Sequence, residues 1–568
     1  MEAIQIHRRK VARQRMDIQA EIDQHLFSIL NLRRDMNKLS PIYILPSELL
    51  AEIFLLLQPC TDAGAEATRR PGPYTWIRVT HVCHHFRQVA RENPRLWSYI
   101  ELPRNSNVPV FHMLERSKQA PLAFKAHLEW LQPEAYGRQA QSNSMKVAVN
   151  AVLAQFHRVF SIRVCAHNTI MKSIIEKFGG SLPLLYSIVL DNCSSRSLAS
   201  PPAFPSTGDL PRLERVHLTG YPISSIRQFL RRVPRLKYLK IPQFTDSDSM
   251  SALLAILQSL PLLESLILSR GMLSTKLDTA PIAQATLPKL SYLSFALKDT
   301  HCAKFLDSLI IPSNTAMSIT VDAGIFDVDN AAGAVLSVVS KVKGAGISGP
   351  LISLASASID IQQKIPVLVV KAWSQGATLS LDEKACTFRN TSNPRLTIMV
   401  PDHIPIAEKV LDTLCRERLF SDVSTLAITG LDRTSSETWI QRLDRMRCVE
   451  KLTVNESSSG TLTGILEAVT TDVLDKYPQV ALLPNLTNVH LHCGAFLHPF
   501  LHYTSGPPPL RASSLRYALQ WRMDNGYKLG LLRLSQTRNF LTPDELKPIV
   551  GELQWTIEEA RQGYRQMS

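Results

Sequence analysis

The chain is poor in the features that mark secreted, membrane-bound or metal-built proteins. Its nine cysteines, at 60, 83, 165, 193, 302, 386, 415, 448 and 493, are odd in number and form no CxxC pair. That pattern excludes the dense disulfide framework of small secreted domains and points to reduced thiols in an intracellular compartment. No apolar run approaches the roughly 18 residues of a membrane-spanning helix. Residues 1–15 are charged and lack the apolar stretch of a secretory signal. The sequons at Asn192, Asn390, Asn455 and Asn485 are therefore expected to stay unmodified, and the expected location is cytoplasm or nucleus.

A long basic run is also missing. The net charge is +14, but Lys and Arg are spread from Arg8 to Arg565. Charge dispersed in this way serves solubility and is no nucleic-acid footprint, so neither nucleic acid nor membrane is expected as a partner. Catalytic signatures are absent too: there is no Walker loop, HExxH, GxSxG or kinase set. Gly344-Ala345-Gly346-Ile347-Ser348-Gly349 matches GxGxxG, but Pro350 follows directly and no clear strand precedes it. A glycine turn between repeat elements fits better than a dinucleotide site, and no cofactor is expected.

Two histidine and cysteine groups invite a metal reading. His81 and His85, with Cys83 and His84 between them, would share a helix face at i+4, yet no further ligands are spaced to complete a zinc site. His490 and His492 alternate with Val489 and Leu491 ahead of Cys493, the pattern of exposed polar positions on a strand. No metal is expected at either.

What is present is a globular composition, with 45% apolar and 20% charged residues over 568 positions. Length alone suggests roughly three or four domain-sized units, unless stacked repeats keep adding core to one array. Residues 5–39 contain no Gly or Pro, which permits one long helix. Along it, Ile18, Ile22, His25, Ile29, Leu32, Met36 and Leu39 form a seam of period 3.5. The seam can pack onto the following domain, self-associate, or pair with a partner helix. Ser40-Pro41 ends the segment.

A second helix is predicted from LPSELLAEIFLLL, beginning at Leu45, with Pro46 in its first turn and Ser47 and Glu48 suiting its positive end. Leu49, Ile53 and Leu57 make one ridge, and Leu50, Phe54 and Leu57 another. So wide an apolar face implies that two surfaces of the helix are covered. Residues 59–73 read as a loop. A third helix is predicted over 74–91 from Trp76, Val79, Val82, Phe86 and Val89, with Cys83 beside them. Asn93-Pro94 stops it, and LWSYIEL turns into a strand.

LPSELLAEIF followed by VTHVCHHFRQVARENPRLWSYIEL resembles the F-box of the F-box-like proteins abundant in mushroom-forming fungi, and LERSKQAPL at 114–122 extends the resemblance. The ordered set is Leu45-Pro46, Glu48, Ile53-Phe54, Val82-Cys83, Phe86, Pro94 and Leu96-Trp97. The family usually carries Trp where Phe86 stands, and a more compact loop than 59–73. The resemblance implies a small helical module that docks on a Skp-type adaptor, which holds a cullin scaffold. Leu45 and Pro46 are expected at that contact. Leu49, Leu50, Ile53, Phe54, Val82, Cys83, Phe86, Leu96 and Trp97 are expected to serve it or the core of the module.

Downstream one phrase recurs, apolar-x-x-apolar-x-apolar. It is led by Leu185, Leu213, Leu236, Leu263 and Leu290, at steps of 28, 23, 27 and 27, with a weaker copy at Ala316. It returns at Val423, Val449 and Leu486. This is the period of leucine-rich repeats, each a strand plus a helix, and residues 224–233 and 250–260 read as helical halves. Between 322 and 422 the phrase is lost, although LTIMV suggests that strands continue. Either one irregular array runs from about 150 to 500, or two shorter arrays flank an α/β insertion.

Gly506-Pro507-Pro508-Pro509 marks a boundary, and 513–520 and 543–566 look helical. The expected architecture is α/β. An N-terminal helix spans 1–40 and an F-box 41–105, with a connecting segment at 106–150. A leucine-rich-repeat solenoid, irregular at 322–422, follows over 151–505, and a helical cap over 506–568. The expected role is that of a non-catalytic substrate-recognition adaptor of a cullin-RING ubiquitin ligase, whose repeats bind an unidentified substrate protein. A repeat scaffold without a ligase role is the alternative.

Overall fold

The computed structural model describes residues 2–58, 72, 74–102, 110–129, 139–196, 201–243, 250–271, 284–322, 328–342, 354–362, 367–374, 380–382, 387–389, 393–401, 404–429, 435–456, 465, 482–493, 512–535 and 543–556. The glycine match at 344–349 and most of the loop at 59–73 lie outside these residues. The chain divides into Met1–Leu213 and Glu214–Ser568. It is mixed α/β, with helices at the N-terminus and a strand-rich region after them.

In the first unit, α1 (Glu2–Lys38) is one uninterrupted helix, as the absence of Gly and Pro predicts. Its seam is not packed on the following domain. Ile18, Ile22, Ile29, Leu32, Met36 and Leu39 are all exposed. A 3-10 turn (Pro41–Ile44) leads into α2 (Ser47–Leu55). Pro46 caps α2 in an extended conformation instead of entering its first turn, and its carbonyl accepts the first helical bond from Leu50 at 3.1 Å.

The third helix expected over 74–91 is two pieces, a 3-10 helix (Thr75–His81) and α3 (His84–Glu92). Steps of three between Trp76, Val79 and Val82 match the three-residue turn of a 3-10 helix, whereas an α-helix needs a mean of 3.6. Cys83 then leaves helical geometry and caps α3, its Sγ accepting from the Phe86 amide at 3.4 Å. Asn93 ends α3 and accepts from Arg95 N at 3.0 Å. A 3-10 turn (Pro94–Trp97) then delivers the chain to β1 (Tyr99–Leu102).

After β1 come α4 (Val110–Arg116), β2 (Leu122–His127), α5 (Gln139–Ala154), β3 (Val159–Ala166), α6 (Asn168–Glu176) and β4 (Ser187–Asn192). The four strands form a parallel ladder in chain order, with Ile100 opposite Phe124, Phe124 opposite Ile162, and Ile162 opposite Ile188. All four side chains are buried. The segment expected to be a connection, 106–150, thus contributes a strand and two helices. The recurring phrase also starts earlier than it is legible, at Trp97, Ile100 and Leu102 and again at Val159, Ile162 and Val164.

The second unit opens with β5 (Arg215–Thr219), α7 (Ile223–Arg231), β6 (Tyr238–Gln243), α8 (Met250–Leu257) and β7 (Ser265–Gly271). Then follow β8 (Ala285–Thr286), β9 (Tyr292–Lys298), α9 (Asp299–Asp307), β10 (Leu309–Ile310), β11 (Ala316–Asp322) and α10 (Val328–Val342). β5, β6, β7, β9 and β11 pair in parallel, in that order, while β8 and β10 make a small parallel pair of their own. The phrase supplies the inward side of each strand, since residues two apart share a face. Leu239, Leu266 and Leu293 stand in one row and Ile241, Leu268 and Phe295 in the next, all buried. The weaker copy is two residues out of phase. Met317 pairs with Leu293 and Ile319 with Phe295, so the phrase begins at Asn314. Its covered place goes to Thr315, whose hydroxyl lies 2.7 Å from the Leu290 carbonyl and 2.8 Å from that of Pro312.

The stretch 322–422 continues the ladder with β12 (Ser356–Gln362), β13 (Val367–Trp373), a hairpin of β14 (Ser380–Asp382) and β15 (Thr387–Arg389), β16 (Leu396–Pro401) and α11 (Ile404–Arg416). The strand order is β11, β16, β13, β12, then β17 (Thr425–Thr429). β13 runs antiparallel to both neighbours, so the pairing is unbroken although the phrase is lost. α12 (Ser436–Leu443), β18 (Lys451–Glu456) and β19 (Asn488–Cys493) follow, with β17, β18 and β19 parallel.

The C-terminal region departs from the expected helical cap. A helix does span Ala512–Asp524, but only Pro543–Leu546 of the second predicted helix is helical, and residues from 557 lie outside the described ones. β20 (Leu531–Ser535) and β21 (Glu552–Thr556) extend the parallel ladder, with Val489 opposite Leu532 and Leu532 opposite Leu553. Among the described residues no helix is long and apolar enough to cross a membrane.

Candidate functional site

The helical module between Pro41 and Leu102 is built around aromatic rings. Phe54 on α2 meets Phe86 on α3 at 5.2 Å between ring centroids, and Trp76 meets Trp97 edge-on at 5.0 Å. Trp97 Nε1 donates to the Ala90 carbonyl at 2.7 Å, and the Arg116 guanidinium lies 4.4 Å above its ring. Leu50 and Leu96 fill the rest of this core at 0% exposure. Polar contacts fix the elements to one another. Gln58 donates to the Leu96 carbonyl at 2.7 Å, and Arg95 pairs with Glu52 on α2 at 2.5 Å.

β1 is held equally firmly. The Tyr74 hydroxyl donates to the Glu101 carbonyl and accepts from the Glu101 amide, at 2.5 and 2.8 Å. The buried Glu101 carboxylate accepts from the Tyr99 hydroxyl at 2.7 Å and pairs with Lys125 on β2 at 2.9 Å. Burial together with this anionic neighbour pushes the Tyr99 hydroxyl well above its ordinary pKa, so it stays a donor.

The eleven residues expected at the docking contact separate into three groups. Leu50, Phe54, Phe86, Leu96 and Trp97 are buried in the module's own core. Pro46, Leu49, Ile53 and Val82 are exposed, the last three at 52%, 43% and 65%, while Leu45 and Cys83 are half-buried. The predicted ridges of α2 thus face opposite ways. The ridge of Leu50 and Phe54 is covered within the chain, and the ridge of Leu49, Ile53 and Leu57 is not.

Ile42 and Ile44 in the turn before α2 and Leu56 at its end are exposed as well, although sequence patterning did not single them out. The signal was PIYI, apolar at alternate positions immediately ahead of Leu45. Tyr43 holds this turn by packing its ring 4.5 Å from that of His85. His85 is therefore committed to packing, and it does not share an α-helical face with His81, because the helix is interrupted at Val82 and Cys83. His490 on β19 stands between buried Val489 and Leu491 and is itself half-buried, and the side chain of His492 lies outside the described ones.

A contiguous exposed apolar face on a short, well-braced helix is what a docking module presents. Residues 42–102 match the family model described as F-box-like. This segment is an F-box-like domain. F-box-like domains generally bind Skp-type adaptors, and F-box proteins are typically non-catalytic. No curated protein matches the chain. Beside the F-box-like domain, an open cleft of about 490 Å³ is lined by Leu55, Gln58, Arg95, Ser98, Pro121, Phe160, Leu184, Tyr186 and Arg212. It holds guanidinium and hydroxyl groups but no carboxylate, thiol or imidazole, so no acid–base pair converges there.

Proposed function

We propose that this chain is the substrate-recognition subunit of a cullin-type ubiquitin ligase. The observation that carries this reading is the division of α2, with one apolar ridge inside the domain core and Leu49 and Ile53 left exposed, as Pro46, Ile44 and Val82 also are. Full burial of an exposed Leu or Ile is worth about 1.5–3 kcal/mol, and these two, half covered already, would add about half of that each against a partner. A Skp-type adaptor would cover the open ridge and would itself hold the cullin scaffold.

The strand ladder, read as a leucine-rich-repeat array, would hold the substrate protein. Its inward positions are apolar in one strand after another, and its outward positions are free to vary without cost to the core. Bond chemistry then belongs to the assembled ligase. This chain acts by raising the effective concentration of substrate lysines near the charged ubiquitin carrier.

Co-expression of the full chain with a Skp-type adaptor tests the reading. Wild type is expected to co-purify with the adaptor, and Leu49→Asp and Ile53→Asp to lose it while remaining folded. Phe86→Asp would be a poor probe, since that ring is part of the core. Failure of wild type to bind, or retention by both charged variants, removes the ligase role.

The exposed seam of α1 favours a second reading, a non-catalytic scaffold in which Ile22, Ile29 and Met36 pair with another helix. A monomeric mass for the purified chain, with no adaptor-independent complexes, would eliminate it.

A further inference from the structure

The C-terminal ends of β2, β3 and β4 gather chemistry that sequence spacing does not announce. In the ladder His127 stands opposite Cys165, and Cys165 opposite Asp191. Ala126, Val164 and Leu190, their neighbours one position earlier, are fully buried, so by strand alternation these three take the outward face. Just beyond them come Glu129 and Cys193. Cys165 Sγ lies 2.7 Å from Cys193 Sγ, and the ligating atoms of Glu129, Cys165 and Cys193 all fall within 4.8 Å of one another.

A polar frame holds this group in place. His167 Nε2 is 2.6 Å from the Glu129 carbonyl, and since a carbonyl can only accept, the ring proton sits on Nε2. Nδ1 lies 3.3 Å from the Ser194 hydroxyl. Ser194 Oγ in turn accepts from the Asn168 amide at 2.9 Å, and its own amide donates to Asn192 Oδ1 at 2.9 Å. Asn192, itself buried, donates to Asn168 Oδ1 at 2.8 Å. His167 thereby ties the turn bearing Glu129 to the turn bearing Cys193.

We propose that Cys165, Cys193 and Glu129 form a binding site for a borderline-soft divalent cation of the zinc class. Two thiolates and a carboxylate select such an ion over magnesium or calcium, which take all-oxygen shells. Zinc with sulfur at about 2.3 Å in tetrahedral geometry sets its two sulfurs about 3.8 Å apart. A small turn of one cysteine side chain gives that spacing. His127 and Asp191 stand beside Cys165 on the neighbouring strands. Glu129 is exposed and the two cysteines half-buried, so an ion can enter from solvent. His167 acts as the supporting residue that orients one ligand through its backbone. A bound ion would clip three consecutive strands at their ends.

The test uses the full chain, reduced, stripped with a chelator and titrated with Co(II), then Zn(II). One equivalent of Co(II) is expected to give thiolate-to-metal charge-transfer absorption and the visible bands of tetrahedral cobalt, displaced by zinc. Cys165→Ser and Cys193→Ser should each weaken zinc binding on the order of 100-fold or more and remove most of that absorption, and Glu129→Gln should weaken it roughly 10-fold. Cys448→Ser, at an exposed cysteine, should change neither. Matching circular dichroism of the metal-free variants and wild type separates a lost ligand from a lost fold. The site is refuted by cobalt binding without a thiolate band, or by a band that survives in both serine variants. It is equally refuted by protein isolated without reductant that carries a Cys165–Cys193 disulfide and no metal.

Discussion

Helix α2 of the F-box-like domain and helices α7 and α8 of the second unit use the same apolar residues to opposite ends. In α7, Ile223, Ile226, Phe229 and Leu230 are all buried, and in α8 Met250, Leu253, Leu254, Ile256 and Leu257 are too. In α2 only Leu50, Ala51 and Phe54 are, while Leu49, Ile53, Leu56 and Leu57 face solvent. Helices α7 and α8 bury every large apolar side chain they carry. A helix that carries more apolar surface than its fold covers has that surface for something else, and here the difference falls within the domain whose relatives dock on other proteins.

The comparison can be broken first at the covered faces. Phe229→Ala in α7 and Phe54→Ala in α2 should cost about 3–5 kcal/mol each in denaturant unfolding, because both empty a packed site. A loss under about 1 kcal/mol at Phe54 would mean that α2 is not anchored as described. Next, Gly551→Ala should cost about 1–3 kcal/mol. A Cβ there would stand 2.6 Å from the Gly530 carbonyl, and full stability would show that β21 does not pair with β20. Thr315→Val, which replaces a hydroxyl serving two carbonyls by a methyl, should cost about 1 kcal/mol. The smallest change in stability is expected on the open ridge, where Leu49→Asp and Ile53→Asp should stay within about 0.5 kcal/mol of wild type while adaptor capture is lost.

Much of this was legible because it rests on side-chain identity at fixed spacing. Leu45-Pro46 through Trp97 marked the F-box-like segment, and the phrase led by Leu213, Leu236, Leu263 and Leu290 marked strands whose every inward position proved buried. Other features depend on terms that spacing does not encode. Val79, Val82 and Phe86 fit a continuous helix as well as an interrupted one, and the cap made by Cys83 decided between them. Alternation in VLVVKAW marks a strand but not its direction, so the reversal of β13 could not be read. Near the C-terminus a good helix start at Pro543-Asp544-Glu545 outweighed ELQWT, which is a strand because β20 offers it an edge. Cys165 lies near the end of β3 while Glu129 and Cys193 lie just beyond β2 and β4, and only the register of the ladder brings them together.

Strand β1 belongs to the F-box-like domain by sequence match and to the parallel ladder by pairing. A fragment ending at Leu102 would therefore keep β1 but lose β2, stripping the strand of its partner and uncovering a row of backbone donors and acceptors together with Ile100 and Leu102. An edge of that kind recruits other chains. The domain boundary that sequence similarity draws is accordingly a poor place to cut. A minimal piece should run at least through β2, so that β1 keeps its partner.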